Sequence, residues 1–328
     1  MSAWPAPLSL RLQPGHREAI VRSPRPDLPA LLALGQPAEG LPERMAALHA
    51  LCAHGHRLAA TLAVRAARGE VAICDAADRM ALRHAVAREQ LLRMTHDWPR
   101  LLPGVPTAGP ALNDCPLWQR ALAPAQQLQA LPHWLQQRWL GRPVAALALA
   151  LEAPDAAARA LAWARVTPTP LAALLAAALP RALALHTPTQ PGDEPDTGPW
   201  NRRSGGAAAA ADNAGMRLLA RLHDLLRLAE PGGGDWLWVE ASAAEPGEGR
   251  AAVEVGRGLL RYRVRVDAEG VLRGLQLQAP TDANFHPHGA LARALRDVSD
   301  PDDARLLAVA FDPCEPFEVV MQPEPAHA

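Results

Sequence analysis

The spacing of apolar and polar residues is helical through most of the chain. Ala/Leu-rich stretches with a period near 3.6 residues predict helices over 41–69, 76–96, 115–140 (one or two, broken at the prolines), 145–166, 170–185 and 207–228. In the first of these, Pro42 suits the opening turn and Gly69 suits the end. An extended segment and a short helix over 28–34 are expected before it.

The alternation of apolar and polar residues that is typical of β-strands lies in the last third of the chain. A short strand is expected over 235–240, and LLRYRVRV at 259–266 alternates strictly before a turn at 267–270 and a second strand over 271–278. Two helices follow, near 289–298 and 301–310, the second with Asp300 as its N-cap. The pattern predicts an α+β, predominantly helical fold with a small antiparallel sheet late in a single domain, 1–328, and a flexible exposed loop over 186–206.

Charge and composition exclude several classes of function. The formal net charge is -1 over 328 residues, which gives no electrostatic argument for a nucleic-acid partner or an anionic membrane. No secretory signal and no run of 18 apolar residues is present, so we expect a cytoplasmic protein without membrane insertion. In that compartment the four cysteines are not expected to form disulfides, and their spacings match no zinc motif.

The candidate chemistry lies on the first long helix and near the C-terminus. His49, Cys52 and His56 are spaced i, i+3 and i+7, which places them on one helical face, and Cys314 lies far along the chain in FDPCEPF. Cys52 is open to three interpretations: a small buried hydrophobe, a metal ligand, or a thiol with a pKa lowered by a neighbouring imidazolium. Cys74 and Cys115 are expected to be packing or loop thiols.

These segments resemble the nickel-iron hydrogenase large subunit. HALCAHGH at 49–56 is similar to that family's Cys-Gly-x-Cys-x-x-x-His, with Cys52 and His56 matching and His49 replacing the first cysteine. FDPCEPF is similar to its Asp-Pro-Cys-x-x-Cys, with Cys314 matching the first cysteine and Phe317 replacing the second. Three further segments resemble the family in the same order: Arg11 to His16, Val255 to Gly258, and Ala279 to Asn284.

The departures from the family change the implied function. The enzymes hold nickel and iron with four thiolates, and only one cysteine of each pair remains here, so no nickel and no catalysis are expected. The pattern resembles the HupK/HoxV-type hydrogenase assembly proteins. That resemblance implies a non-catalytic scaffold in which Cys52 and Cys314, with His49 and His56 as further candidate ligands, transiently hold an iron-cyanide-carbonyl group.

The resemblance also implies polar contacts to the cyanides. Arg257 and Thr281 stand at the matching positions and are predicted to bind the group, because a buried cyanide nitrogen needs a hydrogen-bond donor. Arg257 could instead pair with Glu254, and Thr281 could only cap a turn. The implied partners are hydrogenase maturation proteins and the hydrogenase large subunit. Two rival hypotheses are a cofactor-free interaction module and a redox enzyme built around one metal.

Overall fold

We describe the fold from a computed structural model. It describes residues 8–12, 20–22, 27–106, 109–187, 196–204 and 212–321. The chain divides into two compact units, one formed by 25–89 with 234–282 and the other by 1–24, 90–233 and 283–328. Of the four boundaries between these stretches, those after 89 and after 282 fall inside helices, and the predicted single domain over 1–328 stays a prediction.

The sheet-containing unit is a four-stranded antiparallel sheet covered by helices. Its strands pair in the order β3-β4-β5-β6. Its elements are α1 (Leu28–Ala33), α2 (Leu41–Leu48), α3 (Ala53–Ala67), most of α4 (Ala76–Leu92), β3 (Val239–Glu245), β4 (Glu248–Val255), β5 (Gly258–Val266) and β6 (Leu272–Gln278). Short 3-10 turns occupy Ala38–Gly40 and Ala50–Cys52.

The helices of the helical unit pack around one long buried helix, α11 (Ala214–Ala229). Its helices are α5 (Trp98–Leu101), α6 (Pro124–Leu135), α7 (Val144–Glu152), α8 (Ala156–Val166), α9 (Pro170–Ala184), α10 (Pro199–Ser204), α11 (Ala214–Ala229), the end of α12 (Pro280–Asn284), α13 (Ala290–Ala294) and α14 (Pro301–Phe311). Its three strands are β1 (Leu8–Leu12), β2 (Ile20–Arg22) and β7 (Phe317–Met321), with β1 antiparallel to β2 and parallel to β7. A 3-10 turn covers Pro116–Trp118, and π-helical turns cover Arg93–Asp97 and Gln136–Leu140.

The fold class is confirmed as α+β and predominantly helical, with the antiparallel sheet late in the chain. Asp300 is the N-cap of α14, since its carboxylate accepts a hydrogen bond from the Asp302 amide at 2.8 Å. None of the described helices has the length and apolar character needed to cross a membrane.

The prediction of one continuous helix over 41–69 is wrong. α2 ends at Leu48 and α3 begins at Ala53, with a 3-10 turn between them. Fourteen residues of straight helix would separate Glu43 from Arg57 by about 21 Å. The two side chains instead form an ion pair at 2.9 Å, so the chain doubles back and α2 packs against α3 as a helical hairpin.

Three other predictions also need correction. Pro132 lies inside α6 rather than breaking it. Residues 199–204 form α10 where the sequence predicts an exposed loop, because Pro199 occupies a first helical turn and Trp200 is buried. The parts of that loop over 188–195 and 205–206 lie outside the described residues. β4 is an additional strand between two predicted ones.

Two glycines set the distance between α3 and the sheet. A Cβ atom added to Gly249 of β4 would lie 2.0 Å from the backbone oxygen of Ala63, and one added to Gly55 of α3 would lie 2.5 Å from Cγ1 of Val255. Contacts below 3.0 Å are not tolerated at a Cβ, so neither position accepts a side chain without movement. α3 therefore packs on β4 at backbone distance.

Candidate functional site

Cys52 lies at the turn between α2 and α3 and is buried, with 8% of its surface exposed. His49 and Cys52 have non-helical backbone angles on either side of the turn. The imidazoles of His49 and His56 stack with their centroids 3.8 Å apart and their planes at 10°. Seven residues of straight helix would separate them by about 10 Å, so the turn itself creates this stack.

A tyrosine from the sheet completes the surroundings of Cys52. Tyr262 points inward from β5, is 2% exposed, and shares a hydrogen bond of 2.7 Å between its hydroxyl and Nδ1 of His56. Burial, followed by the charge of Cys52, raises the pKa of Tyr262. Burial, followed by the charge of His49, holds the pKa of His56 well below its ordinary value. The ring of His56 is thus neutral and fixed in orientation at neutral pH.

The stacked rings limit how the two histidines could bind a metal ion. An imidazole lone pair lies in the plane of its ring, and a nitrogen ligand approaches a metal to about 2.0–2.1 Å. Because the two ring planes are nearly parallel and the ring centroids are 3.8 Å apart, a single metal ion can bind one of the two imidazoles but not both. Among the described residues no group of three or more His, Cys, Asp or Glu side chains is arranged to hold a metal ion. The prediction of His49 and His56 as a ligand pair stays a prediction, which this arrangement does not favour.

Cys314 lies in the helical unit, just after α14, and is partly exposed. α14 ends at Phe311 and is followed by Asp312, whose φ of 55° places it in the left-handed region that aspartate adopts more readily than most residues. Pro313 cannot continue the helix, so the chain leaves α14 sharply and presents Cys314 beyond it. The Asp-Pro pair thus determines the direction in which the thiol-bearing segment departs.

Two buried arginines hold that turn in place. The Asp312 carboxylate lies 2.9 Å from Nε of Arg93 and 2.9 Å from Nη2 of Arg221. Arg93 also donates a hydrogen bond to the carbonyl of Pro313, and Arg221 donates one to Oε1 of Gln90 at 2.7 Å. The turn immediately before Cys314 is therefore fixed by two ion pairs at Asp312 and by a charged hydrogen bond to the carbonyl of Pro313, which is stronger than a neutral one.

Arg221 belongs to a row of charged residues on α11. Arg217, Arg221 and Asp224 are spaced i, i+4 and i+7, and all three are buried. Arg217 pairs with Asp196 at 2.5 Å and with Asp212 at 2.8 Å, while Asp224 pairs with Arg202. Two separate segments, 196–204 and the segment that precedes Cys314, are thus tied to α11 by ion pairs.

Arg257 and Thr281 are both buried in the sheet-containing unit. Arg257, at the turn between β4 and β5, pairs with Glu89 through Nη1 at 3.0 Å. The alternative pairing of Arg257 with Glu254 stays a prediction. Thr281 lies in the first turn of α12, where Asp282 accepts a hydrogen bond from the Ala279 amide at 2.8 Å. Their predicted contacts to cyanide stay predictions.

The remaining predicted positions divide into two groups. Cys74 and Cys115 are buried, at 7% and 2% exposed, as predicted for packing thiols. Arg11 is described only by its backbone, in β1, and 13–16 lie outside the described residues, so most of that resembling segment is not placed. Cys52 belongs to the sheet-containing unit and Cys314 to the helical unit.

The sequence did not single out Tyr262 or the two arginines that bind Asp312. Tyr262 carried one usable signal, because it is a hydroxyl-bearing residue on the apolar side of an alternating strand, where a buried polar group needs a partner. No signal in the sequence pointed to Arg93 or Arg221, since both lie within helical patterns and the residues that they contact are remote in sequence.

Comparisons with known proteins give relatives over nearly the whole chain. It is 31% identical to the hydrogenase expression/formation protein HoxV of Cupriavidus necator, with 94% of each chain covered. It is 32% identical to the protein HupK of the same description from Azotobacter vinelandii, and 31% to HupV of Azotobacter chroococcum, covering 95% of this chain and 97% of each relative. No family model matches the sequence.

Solved structures give the fold. An NAD+-reducing [NiFe]-hydrogenase in the H2-reduced state has a TM-score of 0.51 at 15% identity, with 90% of this chain and 92% of that chain covered. The Ni-Fe-Se hydrogenase of D. vulgaris Hildenborough has a TM-score of 0.52 at 14% identity, with 90% and 93% covered. The chain has the fold of the nickel-iron hydrogenase large subunit and belongs to the HoxV/HupK family of hydrogenase expression/formation proteins.

Proposed function

We propose that this protein acts in the maturation of a nickel-iron hydrogenase as a scaffold, and that its cargo is an iron-cyanide-carbonyl group held by Cys52 and Cys314. The observation that carries the proposal is the survival of one cysteine from each end of the large-subunit pattern, each within an ordered setting. Cys52 is buried beside the His56–Tyr262 hydrogen bond, and Cys314 follows the turn that Arg93 and Arg221 hold.

Thiolate chemistry supports this cargo. Soft sulfur ligands suit iron, and an iron that already carries cyanide and carbon monoxide needs fewer ligands from the protein than a bare ion. Each thiol loses its proton as it binds, so capture is favoured as pH rises. The two other positions of the family's four-thiolate set are His49 and Phe317, and phenylalanine offers no ligand atom. Two thiolates suit one iron better than a nickel-iron pair.

Arg257 is the proposed donor to a cyanide nitrogen. It is 5% exposed, and its ion pair with Glu89 keeps a charged donor at a buried position. A guanidinium has five N–H groups in a fixed fork, so a paired arginine can also serve a second acceptor in a suitable direction. Thr281 is the second proposed donor, because its hydroxyl is buried in the first turn of α12.

The test is infrared spectroscopy of protein purified without oxygen from cells that contain the complete maturation machinery. Metal-bound cyanide and carbonyl bands are expected in the wild type, together with iron measured by mass spectrometry. Cys52→Ser and Cys314→Ser should each lose the bands. Cys74→Ser and Cys115→Ser are matched controls, since each removes a buried thiol from the same unit as its counterpart and should keep the bands.

Other outcomes decide against parts of the proposal. Folded, reduced wild-type protein without either band would overturn the cargo and favour a cofactor-free module that binds maturation factors or hydrogenase subunits. Retention of full band intensity in Cys314→Ser would exclude a two-thiolate site. Circular dichroism of each variant separates loss of the cargo from loss of the fold.

A further inference from the structure

The outer face of the four-stranded sheet carries a row of arginines. β5 alternates between buried residues that face α3 and exposed residues that face outward, and the outward positions include Arg261, Arg263 and Arg265. Arg250 of β4 lies directly opposite Arg263 on the same face. An open groove of about 480 Å3 crosses this face and is lined by Arg250, Arg261 and Arg263.

One buried carboxylate orders most of these arginines. Glu248 of β4 accepts hydrogen bonds from Arg263 at 2.8 Å to each oxygen and from Arg250 at 3.1 Å, and Arg265 lies 3.7 Å away. The Glu248 side chain is 3% exposed, whereas the three arginine side chains are 43–66% exposed. The guanidinium groups are thus held in position from below while their outer surfaces remain open to a partner.

The rest of the groove has the composition of a binding surface. Arg261 donates a hydrogen bond to Gln278 at 3.4 Å and has no carboxylate partner in the described part of the chain. Trp238 is 45% exposed at the same groove. Arginine and tryptophan are enriched at protein interfaces, where a flat aromatic group supplies contact area and a guanidinium binds carboxylates.

We propose that this face binds an acidic, extended segment of a partner protein, with carboxylates at alternate positions. Residues two apart on β5 are separated by about 6.6–6.8 Å, and alternate side chains of an extended peptide repeat at the same distance. Glu240 lines the groove too, so a ligand with a negative charge at every unit would be repelled there, whereas a segment with carboxylates only at alternate positions can place a neutral residue beside it. The whole chain, at a net charge of -1, also lacks the long-range field that nucleic-acid binding uses.

The experiment measures fluorescence anisotropy of a dye-labelled peptide of four Glu-Ser repeats titrated with the full-length protein. Binding is expected for this peptide and not for its Gln-Ser counterpart, and added salt should weaken it. The double variant Arg261→Gln/Arg265→Gln should lower the affinity about tenfold, because two exposed ion pairs are lost. Arg263 is left intact so that Glu248 keeps its main partner.

Two further variants test whether binding is local. Arg68→Gln/Arg273→Gln removes the same charge from exposed positions outside the groove and should change the affinity less than twofold. Trp238→Ala keeps every charge and should weaken binding about threefold. Equal losses in the two double variants, or no binding of the Glu-Ser peptide, would overturn the proposal. So would tighter binding of an eight-nucleotide oligothymidine, which would instead indicate a nucleic-acid surface.

Discussion

At the scale of single residues, Asp312 joins two arginines from different parts of the chain. Its carboxylate lies 2.9 Å from Nε of Arg93 and 2.9 Å from Nη2 of Arg221, and both guanidinium groups are buried. The turn that leads to Cys314 therefore depends on this one negative charge.

Asp312→Asn is expected to lower the free energy of unfolding by about 3–5 kcal/mol. The amide would leave the buried guanidinium groups of Arg93 and Arg221 without their shared negative charge, and breaking a buried pair from one side costs about this much. Urea unfolding followed by circular dichroism measures the change.

Asp155→Asn is the matched control for that measurement. Asp155 and Arg159 form an ion pair in which both side chains are more than half exposed, and such solvated pairs contribute little to stability. A cost for Asp312→Asn no greater than that of Asp155→Asn would show that the two arginines do not depend on the carboxylate.

The sequence revealed the thiols but not the groups that position them. Cys52 and Cys314 were found because they lie in short motifs with recognisable spacing. Tyr262 is 206 residues from His56, and Arg93 is 220 residues from Pro313, so no local pattern joins them. Such contacts depend on how remote segments pack, and a single sequence carries little information about that.

At the scale of secondary-structure elements, periodicity located the helices but not the break between α2 and α3. Ala and Leu continue with helical spacing across 49–52, so the pattern contains no interruption there. The break follows from packing, because α2 folds back onto α3. β4 was missed for a related reason. Its inward positions include Gly249 and Ala251, whose small size gives a weak apolar signal but permits the close approach of α3.

Gly249→Ala is expected to destabilise the protein by about 3 kcal/mol, at the upper end of the usual cost of overpacking. Its new methyl group would meet the backbone of Ala63 and Ala67, which cannot move as a side-chain end can. Thermal unfolding would show a lower midpoint. Gly40→Ala is the control, because its methyl group would meet only the flexible end of Arg44. Equal midpoints for the two variants would contradict backbone contact between α3 and β4.

At the scale of the whole molecule, the sequence predicted the fold class but not its division into units. Each unit combines stretches from distant parts of the chain, so no linker composition marks a boundary between them. The fold class was accessible because long helices and an alternating hairpin are local signals. The grouping of those elements is determined by contacts that the local pattern does not contain.

The pH dependence of global stability is expected to include a contribution from Glu248. Hydrogen bonds from Arg263 lower the pKa of Glu248 below its ordinary value of 4.5. Its stabilising effect is therefore complete above that value and is lost as pH falls through the lowered pKa. Glu248→Gln should reduce the free energy of unfolding at pH 7, and the difference from wild type should shrink as the pH is lowered below 4.5.

Urea unfolding of both proteins at a series of pH values from 7 downwards measures this difference. Glu70→Gln serves as the control, since Glu70 is exposed just after α3 and its removal should change stability little at any of these pH values. A difference between wild type and Glu248→Gln that stays constant at every pH down to the acid unfolding of the protein would exclude the ionised carboxylate as its source.

The packing of α3 on the sheet has a consequence for synthesis of the protein. α3 is complete at Ala67, but the strands that cover its apolar side begin only at Val239. A ribosome adds on the order of 5–20 residues per second, so roughly ten seconds or longer pass between synthesis of α3 and synthesis of the strands that cover it. During that time Leu58 and Leu62, both buried in the finished fold, have no sheet to pack against. The growing chain is thus most exposed to aggregation, and most in need of a general chaperone, before its last third has been translated.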